Sequence, residues 1–443
     1  MYFKLKSNLL FIILGAILLN CLCLVINSFA DNISSSSKYE TSLVQVKNKF
    51  LRNSYFSNIQ ISGTLVSSWS YNFAKPNAYN ANYGDNWQNG FTVNYADITI
   101  RKPTCTISNP YGVGFHISID SGQNIQFYKA YYGNSTFFTE PFYQREPFDI
   151  RQAYISLYLP VGTGLTIDIG KHKELLGFEN FNIYRNWNDT YSLLDNAEPS
   201  TYTGILFTYN FISSLQTTLG IVNSQNTVVP IDNTPTIEFN SSYTPLNSLN
   251  FNGGFVYGTN NYIVANNNAI YPDNKNKSFY SYVNTVFSPM SDWTFILEKD
   301  IGLSSGINKN ILTSDGINSG SVAYPSPLVL SGDVYDKGYF NGTSFYIHHK
   351  YIYPIGKISE TLRLAVAVDS NGLFEPGVTP GTRYDFSDET LTFAYAPSYR
   401  MFKNTQFRLE FEHQDANHDI YPTGINRLKS TQNTINFTII WTF

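Results

Sequence analysis

Apolar and polar residues alternate along most of this chain, which is the period-two signature of a strand with one face in an apolar medium and one in water. Ile59, Ile61, Leu65, Trp69, Tyr71 and Phe73 share one parity, and so do Val113, Phe115, Ile117 and Ile119. The pattern returns in Ala153, Ile155, Leu157 and Leu159, in Ile205, Phe207, Tyr209 and Phe211, and in Leu362, Leu364, Val366 and Val368. At the end of the chain Phe407, Leu409 and Phe411 alternate with Arg408, Glu410 and Glu412, and Ile435, Phe437, Ile439, Trp441 and Phe443 follow. About sixteen such segments, within a range of 14 to 18, begin near 58, 91, 111, 151, 165, 203, 215, 236, 250, 278, 293, 343, 361, 389, 405 and 434. The segment near 91 changes parity between Tyr95 and Ala96.

The connections alternate as well. After even-numbered segments they are short and turn-like, as at 160–164, 212–214, 243–250 and 288–292. After odd-numbered segments they are long and rich in Asn, Gly, Ser and Tyr: 74–90, 121–150, 171–202, 259–277, 302–342, 370–388 and 414–433. A soluble sandwich has no reason to sort its loops by end. An up-and-down transmembrane barrel does, with short periplasmic turns and long outer loops. The fold expected is therefore all-β, a transmembrane up-and-down antiparallel β-barrel over 58–443. Closure is required physically, because hydrocarbon offers no partner for the backbone groups of an open sheet edge.

Composition agrees with this reading. The chain has 34 Tyr, 33 Phe and 5 Trp, so aromatics reach 16 % against 14 % charged residues, as expected where aromatic girdles flank an apolar band. Residues 1–30 read as a signal peptide: Lys4 and Lys6 precede an apolar stretch from Leu9 to Ile26, and Ser28-Phe29-Ala30 offers a small-x-small cleavage site. Residues 31–57 read as a periplasmic or lumenal lead-in segment. Cys21 and Cys23 fall in the signal, which leaves Cys105 alone and excludes an internal disulfide in the mature chain. The acidic balance argues against a nucleic-acid partner.

Alternation also assigns the charges. If the apolar parity faces lipid, Asp168, Glu298, Arg363, Arg408, Glu410 and Glu412 face the lumen. The loop at 171–202 carries Lys171, Lys173, Glu174, Glu179, Arg185, Asp189, Asp195 and Glu198. Two readings stay open for it. It folds into the pore as a constriction bearing both signs of charge, or it is an ordinary exposed loop. The terminal Phe443, with Phe437, Ile439 and Trp441 at alternate positions before it, resembles the signal by which the outer-membrane assembly machinery recognises barrels. His413 and His418, beside Glu410, Glu412, Asp415 and Asp419, read as a solvated acidic loop rather than as metal ligands. There is no Gly-rich phosphate loop, zinc-type cysteine spacing or HExxH, so neither catalysis nor a cofactor nor a metal is expected.

Four motifs in order carry a family resemblance: Tyr71-Asn-Phe-Ala-Lys-Pro76; Ile169-Gly-Lys171 leading to Leu176-Gly-Phe-Glu179; Glu198-Pro-Ser-Thr-Tyr-Thr-Gly204; and Gly220-Ile-Val-Asn223. Over roughly 55–260 the chain resembles the beta-barrel porin-2 (OmpL-like) family. The resemblance implies a porin-like barrel in the outer membrane of a Gram-negative bacterium and brings no catalytic residues. A porin passing small hydrophilic solutes or ions is therefore expected, with outer-membrane lipid, the assembly machinery and the solutes as partners. Single barrels and homo-oligomers both fit. The alternatives are an adhesin or structural barrel whose outer loops bind a partner, and an outer-membrane hydrolase.

Overall fold

The computed structural model describes residues 58–76, 89–104, 112–125, 148–180, 182–230, 233–259, 277–305, 338–353, 356–369, 388–417, 419, 421–424 and 427–443. The signal at 1–30, the lead-in at 31–57 and His418 lie outside them. Sixteen strands close into one antiparallel barrel. They are β1 (Gln60–Asn72), β2 (Gly90–Lys102), β3 (Gly112–Ser121), β4 (Phe148–Leu159), β5 (Leu165–Lys173), β6 (Thr201–Ile212), β7 (Leu215–Val222) and β8 (Thr236–Leu246). Then follow β9 (Leu249–Thr259), β10 (Lys277–Phe287), β11 (Trp293–Ser304), β12 (Gly338–Tyr353), β13 (Gly356–Asp369), β14 (Asp388–Phe402), β15 (Thr405–Ala416) and β18 (Thr431–Thr442). Between β15 and β18 the long loop forms its own hairpin, β16 (Tyr421–Thr423) and β17 (Arg427–Lys429), which alternation alone does not predict. This hairpin touches the first long loop, where the Thr423 hydroxyl donates to Ala74 O at 2.8 Å.

Neighbouring strands pair in sequence order, and β1 pairs with β18 to close the cylinder, from Thr64 opposite Thr442 to Asn72 opposite Thr434. The last residue completes the seam: Phe443 N–H donates to Gly63 O at 3.0 Å, and Gly63 N–H donates to Phe443 O at 3.2 Å. No edge is left unpaired, as a lipid environment demands.

The barrel is inside out relative to a soluble protein. On β11 Leu297 is 52 % exposed while its neighbour Glu298 is 1 % exposed. Ile117, Leu219, Val283, Leu364 and Ile439 share the outer surface, whereas Thr64, Ser68, Asn284, Arg363 and Asn436 are buried inside. Outward aromatics gather at both ends. Phe211, Tyr243, Phe287, Phe402, Trp441 and Phe443 mark the short-turn end, and Phe73, Phe91, Phe148, Tyr257 and Tyr339 the long-loop end.

The parity change in β2 has a structural cause. Opposite β1 the register runs Val66 to Tyr95 and then Ser67 to Val93, so Asn94 is an extra, bulged residue. Asn94 and Tyr95 are consequently both buried. A second bulge lies in β4, where Ser118 faces Gln152 and Ile119 faces Ile150, leaving Arg151 over. A bulge switches which parity faces inward. Arg151, which strict alternation from Ala153 to Leu159 would aim at lipid, is thereby fully buried inside.

Candidate functional site: a loop across the lumen

The connection from β5 to β6 enters the barrel and is held against the far wall. It begins with a break in alternation. Gly170 has φ 140°, a conformation L side chains rarely adopt, and the next two residues, Lys171 and His172, are both buried. The Lys171 ammonium donates to both carboxylate oxygens of Asp149, at 2.9 and 2.8 Å, and to Ile150 O at 2.7 Å.

The descending arm first docks beside its own strands. Leu175 N–H donates to Glu238 on β8 at 3.1 Å, and Leu175 O accepts from Asn240 at 2.6 Å and from the Tyr282 hydroxyl of β10 at 3.3 Å. Asn180 and Asn186 then close a local turn, with Asn180 N–H donating to Asn186 Oδ1 at 2.8 Å and Asn186 Nδ2 to Asn180 O at 2.7 Å. Trp187 stacks on His348 of β12 with ring centroids 4.1 Å apart.

Two arginines on the opposite wall grip this part. Arg408 of β15 donates to Asn186 O and Asn188 O at 2.7 Å each and to the Asp189 carboxylate at 2.9 Å. Arg363 of β13 donates to Glu179 at 3.0 Å, to Thr190 O at 2.6 Å, to the Thr190 hydroxyl at 2.7 Å and to Glu412 at 3.0 Å. Glu410 receives Asp189 N–H, the Thr190 hydroxyl and Thr190 N–H. In a ring of sixteen strands β5–β6 and β13–β15 are nearly diametric, so the loop spans the lumen.

The return arm is apolar. Ser192 caps α1 (Leu193–Ala197), its hydroxyl accepting from Asp195 N–H at 3.3 Å, and Ser192 N–H donates to Glu179 at 2.6 Å. Leu176, Leu193, Leu194 and Ala197 pack with Tyr202, Leu206, Val256, Tyr280 and Phe340 of the wall. Ile183 and Tyr191 pack on the other side with Val66, Tyr95 and Ile440. The arm rejoins β6 at Ser200, whose N–H and hydroxyl both donate to Asn226 Oδ1 at 2.9 Å.

These contacts sort the candidate residues. Glu179, Asp189, Arg363, Arg408, Glu410 and Glu412 come together as one buried network. Glu179 and Asp189 are neutralised by Arg363 and Arg408, so these four charges act as anchors. Glu198 joins Glu298 instead, near Asp195. Glu174 is buried; burial raises its pKa and Lys173 opposes that. Burial likewise raises the Asp189 carboxyl against the pull of Arg408. Asp168 stands apart, half-buried and accepting from the Ser156 hydroxyl. Lys173 is half-buried, and Arg185 is exposed at the loop's tip with its guanidinium 5.6 Å from the Tyr184 ring centroid. Phe437, Ile439, Trp441 and Phe443 all lie on the outer surface.

The lumen is not uniformly filled. Inward residues of β10–β15 beside the loop are buried, whereas on β2–β9, toward the short turns, polar side chains stay accessible. There Arg101, Asn210 and Gln216 are exposed, and His116, Ser156 and Asn252 half-exposed. Sequence reasoning missed Arg151 and the polar anchors Thr190 and Asn226. A bulge hid the first, and nothing in local pattern distinguishes the other two.

Comparison with known proteins follows the same lines. The family described as Putative beta-barrel porin-2, OmpL-like matches residues 58–443. No curated protein sequence matches the chain at a significant level. Among solved structures, the outer-membrane channel DcaP of Acinetobacter baumannii is similar at TM-score 0.51 and 11 % identity, covering 87 % of this chain and 97 % of that one. An anion-selective porin from Comamonas acidovorans gives 0.50 and 10 %, over 87 % and 99 %. Pseudomonas putida OprB gives 0.50 and 11 %, over 87 % and 94 %. At these identities the likeness is one of fold.

Proposed function

Because the chain belongs to the beta-barrel porin-2 (OmpL-like) family, we propose that it is a porin of a Gram-negative outer membrane, through which small hydrophilic solutes or ions diffuse passively. The observation that carries this reading is the loop of residues 174–200, pinned across a closed sixteen-stranded barrel whose inner surface is largely polar outside the apolar patches that seat the loop. Barrels of 16–18 strands are wide enough to hold an aqueous channel, and a loop fixed across one narrows it. Passage then runs between the loop and the accessible polar wall of β2–β9, with Arg185 as the loop's exposed charge. Long loops face outward and short turns face the periplasm, as in bacterial barrels generally.

The purified protein in planar bilayers is expected to insert in discrete steps of ohmic current. A seal that stays tight at all voltages after verified insertion would overturn the proposal. Reversal potential in a salt gradient would then give the ion preference.

A further inference from the structure

We propose that the returning arm of the loop is fastened to β11 by a bound divalent cation, Ca²⁺ or Mg²⁺, held by Glu198, Glu298 and Asp300. One oxygen from each of these carboxylates lies within 4.8 Å of the others. Ligands on opposite sides of a calcium ion, each at about 2.4 Å, stand about 4.8 Å apart, so one hard cation can reach all three oxygens.

The hydrogen bonds argue the same way. Two other buried acids of the loop are answered by arginine: Glu179 by Arg363, with Ser192 N–H, and Asp189 by Arg408. Among the described residues no Lys or Arg forms an ion pair with Glu198, Glu298 or Asp300. Lys299 sends its ammonium to Asn341 and Thr343 on the outward parity. Asp300 is fully buried; Oδ2 accepts from the Tyr280 hydroxyl at 2.7 Å, and beyond that the carboxyl meets only the carboxyl of Glu198, with no N–H or hydroxyl donor on Oδ1. Glu198 Oε1 is likewise sealed and takes no N–H or hydroxyl donor. Buried polar oxygens in native structures nearly always have a partner, and like charges at this spacing repel. A cation satisfies both at once.

The motifs of the sequence predict no metal because these ligands come 100 residues apart, one from a loop and two from alternate positions of a strand. All-oxygen ligands and burial select a hard ion over zinc or copper. The proposal stands whether or not the barrel conducts.

Terbium(III), which takes calcium sites and is excited through nearby tyrosines, tests it on the full-length protein in detergent after chelator treatment. Tyr280 would sensitise the ion through Asp300. Saturable emission is expected that excess Ca²⁺ displaces, and it should weaken by about tenfold or more in affinity, roughly 1.4 kcal/mol, in E298Q/D300N. Barrel closure in that variant is checked by heat-modifiable gel mobility. Should the variant not fold, wild-type protein carries the test: Tm should rise by several degrees in millimolar Ca²⁺ over chelator, because a ligand bound only by the folded state stabilises it. Emission unchanged in the folded variant, or equal Tm values with and without Ca²⁺, would mean that the three carboxylates share protons and hold no ion, and would overturn the proposal.

Discussion

Arg408 and Asp189, 219 positions apart in the chain, meet at 2.9 Å inside the barrel, with both side chains almost wholly buried. The pair joins the wall to the loop, and the same guanidinium also takes two loop carbonyls. Removing one member of a buried pair strands the other charge, at a cost of about 3–5 kcal/mol, whereas replacing both with apolar groups is often neutral. Arg408→Met should therefore free the loop, lowering Tm and raising single-channel conductance with added current noise. The double variant Arg408→Met, Asp189→Leu should recover much of the stability. If the single variant conducts like wild type in bilayers, the loop does not set the narrowest section.

Thr190 is the smallest residue in the anchor and the most connected. Its hydroxyl accepts from Arg363 and donates to Glu410, and its carbonyl accepts from Arg363 as well. Thr190→Val keeps the shape and removes the hydroxyl, leaving two buried polar groups short of a partner at about 1–3 kcal/mol each. A fall in Tm with unchanged barrel content by circular dichroism is the expected result, while Thr190→Ser should stay close to wild type. Equal stability of the valine and serine variants would show that the hydroxyl is dispensable.

Strand parity makes a cleaner contrast. Ile205 and Thr208 lie three residues apart on β6, the first outward and 37 % exposed, the second inward and hydrogen-bonded to Thr218 at 2.9 Å. Arginine on the lipid side costs about 2–4 kcal/mol at mid-bilayer, and almost nothing where it meets water. Ile205→Arg should fold poorly into lipid vesicles, and Thr208→Arg should fold well while altering ion preference. Equal folding yields would refute the assignment of faces.

How much of this was legible follows from the same parity. Sixteen strands could be read because lipid on one side and water on the other write the fold into every second residue. The long start of β12, Gly338-Tyr-Phe-Asn-Gly342, escaped because its glycines break the pattern. The parity change at Tyr95 was visible but its cause was not, since a bulge is defined by the partner strand. The charged loop could be located, and both its in-pore and its exposed reading survived, because its anchors Arg363 and Arg408 lie about two hundred residues downstream. Nothing local joins Glu198 to Glu298 and Asp300 either.

Those three carboxylates predict a response to pH. Burial, and then the charges of Asp300, Glu298 and Asp195, push the Glu198 carboxyl well above its ordinary value of 4.5. Gly177, at φ 76°, folds the descending arm directly over that carboxylate, so the group has little room to escape into solvent. A carboxyl whose pKa is raised by folding binds its proton more tightly in the folded state. The support it gives is complete below about 4.5, the unfolded value, and is lost as pH climbs through the raised folded value. In chelator, therefore, wild-type Tm should fall as pH rises above 4.5 into that window, and Glu198→Gln, which is neutral throughout, should flatten the decline. Divalent cation should offset the decline in wild type by replacing the lost proton's charge. A pH profile identical in wild type and Glu198→Gln, both measured in chelator, would remove Glu198 from the account and with it the idea that this corner of the loop is held by neutralised acid.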